Sequence, residues 1–147
     1  MKQLIILIVL LTGALCNVSA QDRLHPTHIS ATKSDEIKSF ITQIYNNKLY
    51  EDYDFLQKHC SAKLLKKLQD AYPYDADGIA YATWLFRSGK QDSKPGADDK
   101  TIMLEVKADG DWFIYTALDM GWKFTNRIKV TNKGDKTIIE DICAVKN

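Results

Sequence analysis

Asp119 and Tyr115 are the residues of this chain that best meet the requirements of proton-transfer chemistry. Such chemistry needs a desolvated carboxylate with a raised pKa and a nearby donor, which an aspartate and a tyrosine can supply together. Arg87 and Asp92 are expected near the same rim of the predicted sheet, because they fall at strand ends or loop starts. In the alternative interpretation, Arg87 forms a purely structural salt bridge with Asp92 or Asp119, since structural ion pairs outnumber catalytic ones.

Aromatic residues extend this predicted site. Trp84, Trp112 and Phe113 can form the walls of a cavity beside the polar residues. In the alternative interpretation they belong to the hydrophobic core, where such side chains are more often found. The predicted ligand-binding residues are Trp84, Arg87, Asp92, Trp112, Tyr115 and Asp119.

Other catalytic patterns are missing from the sequence. There is no Gly-x-Ser-x-Gly elbow, no phosphate-binding glycine loop and no zinc pattern. Neither His59 nor Cys60 has a partner at the spacing that a nucleophile system requires. A catalytic role for the chain therefore depends on Asp119 and Tyr115. We favour a non-catalytic role over a catalytic one.

Two segments resemble metal sites in part. His25 and His28 are spaced for ligation on a helix, but Pro26 separates them and no third ligand is nearby. Asp75 begins an alternation of acids before a glycine, but Phe86 occupies the twelfth position, where a calcium loop needs a bidentate acid. We therefore predict no metal and no cofactor.

Residues 101–142 predict four antiparallel strands joined by short turns. Apolar and polar residues alternate there with the period of two that is typical of strands, and Asp109-Gly110 indicates a tight hairpin. Both faces of residues 112–118 are apolar, so this strand should be central and covered on both sides, or should line a pocket.

The residues before the sheet predict three helices. The first begins at Thr32 or Ser34, either of which can cap it, and the second covers residues 51–59. Ser61 caps the third helix, which Pro73 ends.

The connection between the helices and the sheet has two parts. Residues 81–87 predict a short edge strand. Residues 88–100 are rich in Gly, Asp, Pro and Lys and predict a mobile loop, which is a candidate surface for contact with a protein partner.

The N-terminal residues predict a secretory signal peptide. Lys2 gives a positive start, and residues 4–11 form an apolar run that is too short to span a membrane and is followed by small residues. The mature chain is expected to begin at Gln21 and to reside in the periplasm or outside the cell. The expected segments are a signal peptide (1–20), a flexible arm (21–33) and a single α+β domain (34–147).

The cysteines leave two questions open. Cys60 and Cys143 form a disulfide that an exported protein permits, or remain reduced and buried. Lipid tethering at Cys16 is a less favoured alternative, because Leu15 stands where a lipoprotein signal has a small residue.

The charges of the chain are balanced, with 20 basic and 19 acidic residues. A nucleic-acid-binding protein would need a basic face, so we predict no nucleic-acid partner. No second apolar span follows the leader, and the mature protein should therefore be soluble or at most tethered. Its oligomeric state stays open.

Three helices followed by a meander resemble the cystatin-like folds, which include the nuclear transport factor 2-like domains. The resemblance implies an α+β fold with three N-terminal helices packed on a curved antiparallel sheet of four or five strands. In this class the sheet is cone-shaped and leaves a pocket at its open end, where an acid and a tyrosine can move a proton next to a carbonyl.

A second likeness is carried by Leu-Leu-Lys-Lys-Leu at 64–68, Tyr-Asp-Ala-Asp-Gly at 74–78, Trp-Leu-Phe-Arg-Ser-Gly at 84–89 with Gln91-Asp92, and Leu-Asp-Met-Gly at 118–121. These segments resemble a family of small exported bacterial proteins that carry a domain of unknown function. The resemblance implies a cystatin-like fold and an envelope location, but no activity.

Three functions are compatible with the sequence. The favoured one is a non-catalytic exported protein that binds a small ligand or peptide in a cone-shaped pocket. The first alternative is a periplasmic protein–protein module, such as an inhibitor or an immunity protein. The second is a proton-transfer or hydrolytic enzyme that uses Asp119 and Tyr115.

Overall fold

The computed structural model describes residues 24–74 and 77–145, which form an α+β fold of three α-helices followed by a four-stranded antiparallel sheet. The predicted signal peptide, Cys16, Gln21 and Asp75 lie outside these residues. Two 3-10 helices, Leu49–Glu51 and Thr83–Phe86, lie in the connections. The other elements are α1 (Leu24–Asn46), α2 (Tyr53–His59), α3 (Ala62–Asp70), β1 (Thr101–Asp109), β2 (Trp112–Asp119), β3 (Trp122–Lys133) and β4 (Lys136–Ala144).

Helix α1 is longer than the sequence predicts. It begins at Leu24 rather than at Thr32 or Ser34, and so it includes most of the predicted flexible arm, residues 21–33. Pro26 lies in the first turn, where backbone N–H groups have no partner within the helix and a proline does not break it. Among the described helices, none combines the length and hydropathy that crossing a membrane requires.

Side-chain caps fix the starts of α2 and α3. The Asp52 carboxylate accepts hydrogen bonds from the backbone N–H groups of Asp54 and Phe55, at 2.9 and 3.1 Å. Ser61 Oγ accepts one from Leu64 N at 3.2 Å. Both predicted helices are confirmed, and Ser61 is the cap that the sequence predicts.

The sheet is a meander in the order β1-β2-β3-β4, which confirms the four predicted strands. Asp109 pairs with Trp112 beside the first hairpin, and Asp119 pairs with Trp122 beside the next. The register shifts once between β1 and β2 and once between β3 and β4. Such irregularities bend a strand and increase its local twist.

The core lies on one face of the sheet. Along β2, Phe113, Tyr115, Ala117 and Asp119 are buried, whereas the residues between them are only partly covered. The strand is central, as predicted, but only one of its faces is fully buried. Helix residues that complete the core are Ile41, Ile44, Tyr45, Leu56, Leu64 and Leu68.

Residues 81–87 are not the edge strand that the sequence predicts. They contain the 3-10 helix Thr83–Phe86, in which the backbone bonds are local, as when Arg87 N donates to Trp84 O at 3.0 Å. N–H groups that bond within their own segment cannot pair with a neighbouring strand. The described part of the chain therefore has a sheet of four strands, not five.

Cys60 and Cys143 are both free thiols, so the disulfide that the sequence left open is absent. Cys60 is buried beside Ile139, with which its backbone forms an isolated β-bridge. Cys143 is exposed and lies further along β4. The extended chain from Ile139 to Cys143 spans about 13 Å, whereas a disulfide requires Cα atoms within about 7 Å. The alternative interpretation, a buried reduced thiol, holds for Cys60 alone.

Candidate functional site

Asp119, at the end of β2, is fully buried and lies within a ring of hydrogen-bond donors. Arg87 donates to it from Nε at 3.1 and 3.2 Å and from Nη2 at 2.9 Å. Ser88 donates from its backbone N at 3.3 Å and from Oγ at 2.8 Å. Thr101 Oγ1 donates to Asp119 at 3.3 Å and is itself hydrogen-bonded to the Tyr50 hydroxyl at 3.0 Å. Both carboxylate oxygens are thereby satisfied.

The surroundings of Asp119 favour its charged form. Burial by itself would raise the pKa of the carboxyl, but the hydrogen bonds from Arg87 and Ser88 and the charge of Arg87 outweigh it, and the pKa is lowered. Burial likewise disfavours the charged form of Arg87, yet its bond to Asp119 raises the guanidinium pKa. A general acid or base needs the opposite shift. The geometry is that of a structural salt bridge between Arg87 and Asp119, which is the alternative interpretation of the sequence.

Tyr115 is also enclosed, and its hydroxyl has three partners. It receives hydrogen bonds from the Tyr45 hydroxyl and from Asn126 Nδ2, the latter at 3.1 Å, and donates to the backbone oxygen of Phe86 at 3.2 Å. Burial raises the pKa of Tyr115 well above its ordinary value. Because the side chains of Tyr115 and Asp119 have no exposed surface, neither contacts solvent from which a substrate would come.

Together these buried groups hold one short segment, residues 85–88. Asn126 Nδ2 lies 3.4 Å from Leu85 O and 3.5 Å from Arg87 O, Tyr115 bonds Phe86 O, and Asp119 bonds Arg87 and Ser88. Each bond fixes backbone or side chain on the C-terminal side of Trp84. The predicted catalytic residues therefore position the 3-10 helix that carries Trp84.

Trp112 and Phe113 do not join this group. Trp112 is at the opposite end of β2 from Asp119, about 23 Å away at about 3.3 Å per residue, and its ring lies 5.2 Å from the Arg127 guanidinium carbon. Phe113 is a core residue. The cavity beside Trp112, of about 560 Å³, has mostly charged and polar walls formed by Lys63, Trp112, Lys129, Thr131, Asn132, Lys133, Glu140 and Asp141.

Asp92 is not among the hydrogen-bond partners of Asp119 and lies in a loop that is hydrogen-bonded to the turn between β2 and β3. Its backbone oxygen, not its carboxylate, accepts a hydrogen bond from Trp122 Nε1 at 2.9 Å. Lys94 N donates to Met120 O at 2.9 Å. Residues 88–100 are thus held against the β2–β3 turn at more than one point.

A surface cleft of about 360 Å³ opens beside Trp84; we call it the Trp84 cleft. Tyr74 and Trp84 contribute exposed rings, with 85% and 39% of their surface accessible. The centroid of the Tyr72 ring lies 5.4 Å from that of Trp84 and 6.0 Å from that of Tyr74, so Tyr72 contacts both rings. The cleft is lined by Ala71, Pro73, Tyr74, Trp84, Gly89 and Gln91.

Sequence reasoning missed several residues of both sites. Thr101 reaches Asp119 through the register of β1 against β2, which no local spacing reveals. Ser88 directly follows the arginine and was a usable signal for a carboxylate partner. Tyr72 and Tyr74 follow the end of α3, and their signal is the density of aromatic residues around Pro73.

Within residues 24–74 and 77–145, no group of three His, Cys, Asp or Glu side chains lies close enough to hold a metal ion. Comparison with known proteins adds no relative: the chain matches no protein-family model, no curated protein and no solved structure.

Proposed function

We propose that the chain is a non-catalytic binding module that takes a peptide segment of a protein partner at the Trp84 cleft. The observation that carries the proposal is a pair of exposed aromatic rings, Tyr74 and Trp84, of which Trp84 lies on a 3-10 helix that a buried polar network holds in place. Exposed aromatic side chains are enriched where proteins bind partners, because they bury a large area at a small entropic cost. A positioned 3-10 helix lowers that cost further.

The state of the buried polar residues favours a binding site at the surface over a binding or catalytic site in the interior. Asp119 and Tyr115 are saturated with hydrogen bonds and have no exposed surface. A lowered carboxyl pKa is unsuited to proton transfer at neutral pH. These observations favour the protein–protein alternative among the functions that the sequence allows.

The setting of this module is also part of the proposal. The apolar leader with its positive start supports export to the periplasm or beyond. The order of three helices and a four-stranded meander supports placement with the cystatin-like folds. In such an arrangement the helices cover one face of the sheet, and the core shared by α1, α2, α3 and the sheet supports that placement.

A selection from a displayed library of random peptides tests the proposal. We expect the purified protein to select peptides whose binding falls at least tenfold in Trp84→Ala. Leu104→Ala is the control, because Leu104 is an apolar side chain of β1 with 49% of its surface exposed that does not line the cleft. Failure to select any peptide, or equal losses in both variants, would overturn the proposal. Circular dichroism and thermal unfolding establish that both variants are folded.

A further inference from the structure

We infer that the Trp84 cleft recognises a proline-rich segment in the polyproline II conformation. This inference rests on the proposed function and names the chemistry of its partner. Three features of the cleft lead to it: the arrangement of its rings, the absence of charge from its walls, and the donors that its walls carry.

The two aromatic side chains that line the cleft, Trp84 and Tyr74, present differently oriented rings. The Tyr72 ring, which contacts both but does not line the cleft, is inclined by 34° to the Trp84 ring and is nearly perpendicular, at 85°, to the Tyr74 ring. A groove with such walls accepts flat, rigid rings at more than one angle. Proline rings of a polyproline II segment, which repeats every three residues, dock in aromatic-lined grooves of this kind.

Among the residues that the structure describes, the walls of the cleft carry no charge. This described lining consists of two aromatic, one amide and three small or cyclic residues, and it includes no Lys, Arg, Asp or Glu. A phosphate or a carboxylate group would therefore lose its hydration at the cleft without gaining a positively charged partner. A neutral segment suffers no such loss. The charged cavity beside Trp112 provides a contrast within the same molecule.

The polar groups of the cleft are suited to carbonyl acceptors. The Trp84 indole can only donate, and the Gln91 amide and Tyr74 hydroxyl can also donate. A proline residue has a carbonyl acceptor and no N–H, so each proline of the segment can be buried without leaving a backbone donor unsatisfied. Such a segment is already extended before it binds, which reduces the ordering cost at a cleft of only about 360 Å³.

Synthetic peptides test the inference. One peptide carries a Pro-x-x-Pro sequence with neutral intervening residues, and its partner has each proline replaced by alanine. We expect the proline peptide to change the Trp84 indole signal in a nitrogen–proton correlation spectrum, and the alanine peptide to bind at least tenfold more weakly. Trp84→Ala should lose at least tenfold in affinity for the proline peptide, Trp84→Phe should retain part of it, and Leu104→Ala should bind as the unmodified protein does.

The outcomes separate this inference from the proposed function. Equal binding of the proline and alanine peptides, or binding unaffected by Trp84→Ala, would overturn the recognition of proline. If the random library nevertheless yields peptides without proline that depend on Trp84, the proposed function stands and the present inference fails. If no peptide of either kind depends on Trp84, both fail.

Discussion

Asp119 and Arg87 form a two-pronged ion pair in which the carboxylate is fully buried and the arginine side chain keeps 23% of its surface exposed. The pair joins the end of β2 to the residue that follows the 3-10 helix Thr83–Phe86. Removing one partner of a buried pair leaves the other without compensation, and that loss exceeds the net stabilisation from the intact pair. The relationship therefore has consequences for stability that can be measured.

Asp119→Asn should lower the free energy of unfolding by about 3 kcal/mol, because Arg87 then lies against a neutral group in a desolvated place. Urea unfolding at neutral pH measures the change. Asp109→Asn is a matched control, since Asp109 pairs with Arg127 at the same 2.9 Å but on the surface, where the two side chains are 47% and 39% exposed. The control should lose less than about 1 kcal/mol. Equal losses in the two variants would contradict a special role of burial.

Acid should weaken the protein through Asp119. The folded state lowers the pKa of this carboxyl, so on acidification the unfolded chain binds the proton first. The stabilisation is present above the unfolded pKa of about 3.9 and disappears as the pH falls through the lower folded value. Unfolding free energies of the unmodified protein and Asp119→Asn should therefore converge below about pH 4. A constant difference down to the acid limit would exclude this linkage. Asp141 and Glu140 also have lowered pKa values, so part of the acid sensitivity should persist in the variant.

Tyr115→Phe should lower the free energy of unfolding by about 1–3 kcal/mol, because Phe86 O loses its donor and Asn126 Nδ2 loses its nearest acceptor in a buried place. Thermal unfolding measures the loss. Tyr53→Phe is the control, since Tyr53 is 47% exposed, and it should change stability by less than about 0.5 kcal/mol. A Tyr115→Phe variant with unchanged stability would show that the hydroxyl is not part of the network that positions residues 85–88.

The sheet could be predicted from the sequence because its signals are local. Alternation and turn residues lie within each strand and hairpin, and all four strands were found. The sequence of residues 81–87 favours a strand because the buried residues of this segment, Tyr81, Ala82 and Phe86, are apolar in either conformation. What decides between them is the set of long-range bonds from Tyr115 and Asn126, and these have no local signature.

The candidate site was predicted in part for the same reason. An arginine and an aspartate near one rim were enough to suggest the Arg87–Asp119 pair. The protonation chemistry of this pair could not be predicted from the sequence, because the pKa of Asp119 depends on hydrogen-bond donors that the tertiary structure brings to it. The register of β2 separates Trp112 from the pair and places it at the other end of the strand.

The two cysteines should react very differently with an alkylating reagent. Cys143 is exposed and should be modified within the folded protein, whereas Cys60 is buried and its pKa is raised to about 12 by burial. Only thiolates are strong nucleophiles, so Cys60 should react only after unfolding. Mass mapping of the labelled peptides distinguishes them. Recovery of a peptide that links Cys60 to Cys143 would show that the free thiols described above are not the state in solution.

Gly121→Ala should destabilise the protein by more than Gly134→Ala does. Both glycines have a positive φ, +82° and +62°, so both variants bear the same kind of backbone strain, about 1–2 kcal/mol. A Cβ at Gly121 would come within 2.4 Å of Ala97 Cβ in the loop, whereas one at Gly134 meets nothing within 4 Å. The difference between the variants in urea unfolding thus isolates the contact of the loop with the β2–β3 turn.

The same contact predicts a rescue. Ala97→Gly removes the atom that a Cβ at position 121 would strike, so the double variant should recover most of the stability that Gly121→Ala loses beyond Gly134→Ala. Combining Ala97→Gly with Gly134→Ala should give no recovery, because those positions share no contact. Additive losses in both double variants would mean that residues 88–100 do not pack on the turn in solution. A selective rescue would instead establish that the loop leading from Gly89 and Gln91 of the Trp84 cleft is fixed at its far end.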